Sequence, residues 1–220
     1  MSESPAGFDL ATVDRLLSTT RAVRQRLDFS RPVETEVIHE CIRLSQQAPT
    51  ASNQQTWRWL VVTDATKRQQ LGEIYARGLP AIEASGETTI RGDSQTQRVY
   101  DGAIWLAEHI GEAPALVIPC AVGRPPDAFN STLNASIYGS VVQAVWSFQL
   151  ALRSRGLGSC FTTLHLAYEP EIREIFEMPD EVLQIAMLPV AYTLGTDFKP
   201  AKRPPPETIT YWDRWGEHRS

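Results

Sequence analysis

The sequence predicts an α+β fold in a single domain. Strand-like runs at 57–63, 115–122, 158–163 and 182–193 are separated by helical stretches of unequal number and length, without the regular alternation of a doubly wound sheet. The chain contains no G-x-G-x-x-G, so a Rossmann dinucleotide site is not signalled. Its 220 residues, 42% of them hydrophobic, suffice for one core without disulfides. No internal repeat, low-complexity tract or domain break interrupts it. The domain is therefore expected over 1–220, with a flexible N-terminus at about 1–8 and a C-terminal arm at about 196–220.

Each element has a local reason. Residues 9–18 place Leu10, Val13, Leu16 and Leu17 on one helical face. Residues 33–48 repeat the pattern with Val37, Ile38, Cys41, Ile42 and Leu44, bracketed by Pro32 and Pro49. Residues 57–63 (WRWLVVT) are β-branched and aromatic, hence a strand, and Asp64 is placed to cap the next helix, which carries Leu71, Ile74 and Tyr75. Residues 77–96 hold three glycines, a proline and many small polar residues, and read as a mobile excursion or lid. A helix at 97–110 leads to 115–122 (ALVIPCAV), a buried strand. After a loop at 123–133, the longest helix runs from Asn134 to Arg155. Ile137, Val141, Val145, Phe148 and Leu152 line one face, and Tyr138, Val142, Trp146 and Leu150 a second. A helix apolar on two faces packs on both sides, which in so small a chain suggests a second subunit. Gly156 and Gly158 stop it. A strand at 158–163, a short helix at 170–176 and a buried strand at 182–193 follow. The proline-rich tail, with Trp212 and Trp215, should lie over the body or over a partner chain.

Composition excludes several functions. The net charge of -5 argues against a nucleic-acid-binding stripe, whereas local basic clusters suit a small anion. Cys41, Cys120 and Cys160 are scattered and odd in number, and the four histidines lack ligand spacing, so neither a metal site nor a disulfide framework is indicated. No stretch is apolar and long enough to span a bilayer, and the N-terminus does not read as a signal peptide. A cytoplasmic setting is the default expectation.

Four segments carry chemistry. Thr20-Arg21-Ala22-Val23-Arg24 sets two arginines three apart, able to grip a phosphate or a polar ring edge; alone it reads equally as a solvated basic turn. The loop from Pro49 and Thr50 through Asn53 and Gln55 to Trp57 offers amide donors and acceptors, or is simply a polar turn. The run Gly156-Leu157-Gly158-Ser159-Cys160-Phe161-Thr162-Thr163-Leu164 lets a ligand approach the backbone, or is a helix cap entering a strand. Lys202-Arg203-Pro204 is a late basic pair, either part of a phosphate clamp or exposed tail charge.

Taken in order, the R-x-x-R, the P-T-A-S-N-x-Q-x-W loop, the G-L-G-S strand entry after a long apolar helix and the late K-R-P resemble the FMN-dependent nitroreductase family, over about Thr19 to Trp215. The resemblance implies an α+β sandwich around a mixed, mainly antiparallel sheet flanked by helices. It also implies a homodimer with a long-helix core, exchanged C-terminal arms and FMN at the interface. It assigns the FMN phosphate to Arg21 and Arg203, helped by Lys202, and the N1/C2 carbonyl side of the ring to Arg24. Ala22, Pro49 and Thr50 fall within its cofactor-binding motifs. Asn53 and Gln55 would hydrogen-bond the pyrimidine edge or ribityl chain. Phe161, Thr162 and Thr163 would lie along one ring face, with a backbone N–H of Thr163 or Leu164 directed at N5. The sequence departs from the pattern in two places: Thr20 and Ala22 stand where many members have arginine and serine, and Thr163 where many are acidic.

The implied reaction is ping-pong. NADH or NADPH reduces FMN and leaves, and an electron-poor acceptor such as a nitroaromatic or quinone takes the electrons. No catalytic side chain is needed, because the cofactor carries the chemistry. A deazaflavin serves as donor in some relatives. A reductive dehalogenase is disfavoured, because 77–96 offers Glu83, Glu87, Arg91 and Asp93 but no lysine or tyrosine to hold a zwitterion. The rivals from other classes are an FMN carrier or sensor without turnover and an interaction protein with no cofactor.

Overall fold

The computed structural model describes residues 7–125 and 130–219, so the expected flexible start at about 1–8 and the loop at 123–133 lie partly outside the described residues. The chain divides into two compact units, one from Thr20 to Thr196 and one made of the two terminal segments.

The terminal unit contains α1 (Leu10–Thr19), and its C-terminal segment is irregular apart from a 3-10 turn at Pro206–Thr208. The larger unit is built on six strands: β1 (Leu27–Asp28), β2 (Trp57–Val62), β3 (Ala115–Val122), β4 (Leu157–Ser159), β5 (Val182–Gln184) and β6 (Leu188–Thr193). They run in the order β1-β6-β3-β2, with β4 on β6 and β5 on β3, and every strand pair is antiparallel.

β3 explains why the fold has two helical layers. Successive strand residues face opposite sides of a sheet. Ala115, Val117 and Ala121 join a core with Ile38 and Cys41 of α2 (Thr35–Ser45) and Val141, Val145, Phe148 and Leu152 of α6 (Ser131–Ser154). Leu116, Ile118 and Cys120 join a second core with Leu71, Ile74 and Tyr75 of α3 (Ala65–Ala76), Leu106 and Ala107 of α5 (Ser94–His109) and Ile172 of α7 (Glu169–Ile175). Antiparallel strands usually alternate apolar and polar residues. β3 is a continuous apolar run because helices cover both of its faces.

The expected helix starts and stops hold in several places. Asp64 accepts a hydrogen bond from the Lys67 N–H at 2.9 Å, capping α3. Gly156 takes φ +78 just after α6, the left-handed conformation that a side chain disfavours. α6 begins earlier than expected, with the Asn130 side chain accepting from the Leu133 N–H at 2.9 Å.

Three expectations are corrected. The segment 77–96 is largely helical: α4 spans Leu79–Thr89, and α5 already begins at Ser94, capped by Asp93. Its glycines and proline are helix punctuation and packing. Gly78 is the N-cap, Pro80 lies in the first turn, Gly86 is buried against Tyr100, and Gly92 follows α4 at φ +80. The strand expected at 182–193 is two strands, β5 and β6. The two pairings with β3 differ in register by one residue, and the break falls at 185–187: the Ile185 N–H still donates to the Pro119 carbonyl at 2.9 Å, whereas Met187 pairs through both its backbone N–H and its carbonyl with Thr162. The strand expected at 158–163 ends at Ser159, with Thr162 held by that isolated bridge, and β1 is a strand too short for any periodicity to reveal.

The two faces of α6 have different fates. Val141, Val145, Phe148 and Leu152 are wholly buried, whereas Tyr138, Val142 and Trp146 are 39%, 41% and 43% exposed. Among the described residues no helix is long and apolar enough to cross a membrane, and no group of three or more His, Cys, Asp or Glu is placed to hold a metal.

Candidate functional site

The segment 20–24 is stitched to the sheet. Ala22 bridges Ser159 in parallel, and the Val23 N–H donates to the Ser159 carbonyl at 2.9 Å. Gly158 permits this approach: a Cβ there would lie 2.8 Å from Thr193 Cγ2 and 3.0 Å from Val23. Val23 is buried like a plug, which leaves Ala22 and Arg24 on the other side of the extended chain. Arg21 is exposed and Arg24 half-buried.

Beyond β4 the chain is fixed just as firmly. Gln149 of α6 donates to the Ser159 hydroxyl at 3.0 Å. The Thr162 hydroxyl donates to the Met187 carbonyl at 2.6 Å, and the Thr162 N–H to the same carbonyl at 3.2 Å. The Tyr75 phenol reaches the Thr162 side chain, and burial raises its pKa. Cys160 is buried, which pushes its thiol up, and the neighbouring Arg24 opposes that rise.

These constraints bring two distant segments together. Arg24 and the run Cys160, Phe161, Thr162, Thr163 and Leu164 line one cavity of about 380 Å³, closed by Tyr75 and by residues of α4 and α5. A second cavity, of about 350 Å³, is lined by Ala22, Val142, Trp146, Gln149 and Phe161 along the exposed face of α6. Phe161 lies between the two.

The 49–55 loop is placed elsewhere. The Ala51 N–H donates to the Ser140 hydroxyl at 2.9 Å, which hangs the loop from α6 nine residues before Gln149. At about 1.5 Å rise per residue, that is roughly 13 Å along the helix axis. None of Pro49, Thr50, Asn53 or Gln55 lines either cavity. The loop is shaped internally: Gln55 Nε2 donates to Asn53 Oδ1 at 3.0 Å, and the Gln55 N–H donates to the Thr50 hydroxyl at 3.1 Å. Ser52, Asn53 and Gln55 take φ of 51°, 54° and 51°, a left-handed cluster that non-glycine residues adopt at a cost. Lys202 and Arg203 belong to the terminal unit, where both are exposed.

Several site residues were not singled out from the sequence. Tyr75 was read only as core. Gly102 lies mid-helix in α5 directly beneath the arginine stem: a Cβ there would touch Arg24 Cδ at 3.4 Å, and any larger side chain would meet it. A glycine inside a helix costs about 1 kcal/mol against alanine and signals a packing reason. Tyr100 and Ser85 complete the α4–α5 wall of the cavity. His165, wholly buried beside the site in the 3-10 turn Leu164–Tyr168, has its pKa pushed down to about 4 by burial, against the pull of Glu169, and is neutral at pH 7.

Comparison with known proteins follows the same outline. The sequence matches the nitroreductase family over residues 17–192. The iodotyrosine deiodinase of Thermotoga neapolitana is 26% identical over 180 residues, covering 80% of this chain and 86% of that protein. The chain spans about 60% of some longer deiodinases that it also matches. A crystal structure of oxidised iodotyrosine deiodinase bound to FMN and 3-iodo-L-tyrosine superposes with a TM-score of 0.68 at 25% identity, covering 92% of this chain and all of that one. The FMN-dependent nitroreductase NfnB from Mycobacterium smegmatis, solved with NADPH, shares the fold with a TM-score of 0.67 at 19% identity, covering 94% of this chain and all of that one.

Proposed function

This chain belongs to the nitroreductase family, and on that footing we propose that it is an FMN-dependent oxidoreductase. In this reading it passes reducing equivalents from NADH or NADPH to an electron-poor acceptor such as a nitroaromatic or quinone. The observation that carries the reading is the meeting of Arg24 with Phe161, Thr162, Thr163 and Leu164 in one cavity, from segments far apart in the chain.

When bound, FMN supplies the two-electron redox chemistry. The residues present fit such a group: a cationic side chain at one edge, an apolar and hydroxyl-bearing wall, and a glycine-thinned strand entry. Arg21 would bind the phosphate end, with Ala22 beside it in the same motif. Arg24 would place positive charge against the pyrimidine edge, where reduction adds negative charge and a fixed cation stabilises it. The Thr162 N–H is committed to Met187, which leaves the Thr163 or Leu164 N–H for ring N5. Phe161 would cover a ring face and exclude water. The family pattern also assigns phosphate contacts to Lys202 and Arg203, a separate expectation that substitution at Arg203 tests on its own.

A homodimer across the exposed face of α6 belongs to the same reading. Tyr138, Val142 and Trp146 are large apolar side chains left partly exposed on a helix whose other face is wholly buried. A second copy seated there would bring its own 49–55 loop, with Pro49, Thr50, Asn53 and Gln55, to the FMN site that this chain's loop does not reach.

The test is the visible spectrum of the purified protein, titrated with FMN and then, without oxygen, with NADH or NADPH. The expected result is flavin uptake, bleaching by one of the nicotinamides and recovery of colour on adding nitrobenzene or menadione. Flavin uptake without bleaching would instead identify a carrier or sensor, and failure to take up FMN would overturn the cofactor assignment.

A further inference from the structure

The cavity beside Arg24 has a wall to which the FMN reading assigns no contact. α4 and α5 supply it through Ile82, Ser85, Val99, Tyr100 and Ala103. The wall is apolar except at one point, where Ser85 Oγ and Tyr100 Oη lie 2.9 Å apart. Hydrogen bonds from Ser85 and then Thr89 hold the Tyr100 phenol below its ordinary pKa. Gly86 lets the ring pack close against α4, since a Cβ there would lie 3.1 Å from Tyr100 Cδ1.

Proton counting makes this cluster a donor. A hydroxyl has one proton to give and two lone pairs to receive. Hydrogen bonds that lower a phenol's pKa are those given to its oxygen; with Ser85 and Thr89 both donating to Tyr100, the proton left uncommitted is the phenol's own. Charge counting adds a restriction. Arg24 is the one charged residue among the described residues that line the cavity, and no carboxylate lines it; Glu83 and Glu87 of α4 are exposed and outside the lining. An ammonium brought here would lose its water and meet no counter-charge, which is costly.

We propose that the Ser85–Tyr100 pair determines acceptor specificity: it gives its spare O–H to the nitro or carbonyl oxygen of a neutral, electron-poor aromatic ring, and the cavity rejects amino-acid zwitterions. This rests on the oxidoreductase reading and sharpens it. It also separates this chain from the deiodinase that binds 3-iodo-L-tyrosine.

The test is calorimetric titration of the full chain, with and without FMN, using nitrobenzene, menadione and 3-iodo-L-tyrosine. Nitrobenzene and menadione are expected to bind saturably and iodotyrosine to give no saturable heat. Tyr100→Phe and Ser85→Ala should each weaken nitrobenzene and menadione by about three- to tenfold, the range of one neutral hydrogen bond. Glu87→Gln, outside the cavity, should match the wild type. Unchanged affinity in both hydroxyl variants, iodotyrosine binding as tightly as nitrobenzene, or no ring binding at all would overturn the proposal. The visible spectrum read in the same samples reports FMN uptake independently, so loss of ring specificity and loss of the cofactor reading are told apart.

Discussion

Acidification should destabilise this protein through His165. The imidazole is wholly buried, and its pKa is pushed down to about 4. In the unfolded chain it returns to about 6.5. Above that value both states hold it neutral, and it contributes no pH dependence. Below it the unfolded chain takes up a proton that the folded one refuses, so stability falls by about 1.4 kcal/mol per pH unit until about pH 4. Integrated between about pH 7.5 and 4.5, the loss is about 2.5 kcal/mol, a large fraction of the roughly 5–15 kcal/mol that holds a domain together. Glu169, whose folded pKa is lowered by its bonds to Arg124 and Gln184 although burial opposes this, loses its contribution only as pH falls further. Urea unfolding at several pH values, on the wild type and on His165→Leu, isolates the effect. The wild type should lose about 2.5 kcal/mol more than the variant over that interval. Parallel pH profiles for the two proteins would refute the reasoning.

Other expectations follow from the same geometry. Gly102→Val should push the Arg24 stem out of its groove and weaken FMN about tenfold by titration, without unfolding the chain; wild-type affinity would show that Arg24 is not held against α5. Arg21→Ala and Arg203→Ala should each cost about 1.5–3 kcal/mol of FMN binding, a tenfold loss or more, and unchanged affinity in both would sink the phosphate assignment. Trp146→Glu should shift the protein toward monomer in sedimentation while circular dichroism stays as in the wild type; an unaltered dimer would place the interface elsewhere. Ser140→Ala removes the anchor of the 49–55 loop, and FMN affinity should fall by about three- to tenfold if that loop contributes across the interface.

Local patterns carried much of the architecture. The 3.6-residue spacing of α2 and α6, the Asp64 cap and the apolar run of β3 are fixed by neighbours in the chain, so they could be read there. The two apolar faces of α6 were also legible, and one of them is exposed in the single chain. What escaped depends on contacts far away in sequence. α4 was hidden because Gly78, Pro80 and Gly92 look the same in a loop as at the ends of a helix. The break between β5 and β6 falls where Met187 pairs with Thr162, which is distant from it. The α4–α5 wall with Ser85 and Tyr100 exists only once two helices pack together. The separation of the 49–55 loop from Arg24 is likewise a matter of where Ser140 sits on α6.

β3 works as a partition wall. Neighbouring residues on it belong to different rooms: Val117 backs α2 and α6, while Ile118 backs the room that holds Tyr75, Cys160 and Met187. A change at one position can therefore retune the chamber where the acceptor would sit and leave undisturbed the helix on which a second copy would seat, and the next position does the reverse. One strand thus keeps substitutions on the α2–α6 side mechanically apart from those on the side of Tyr75 and Cys160.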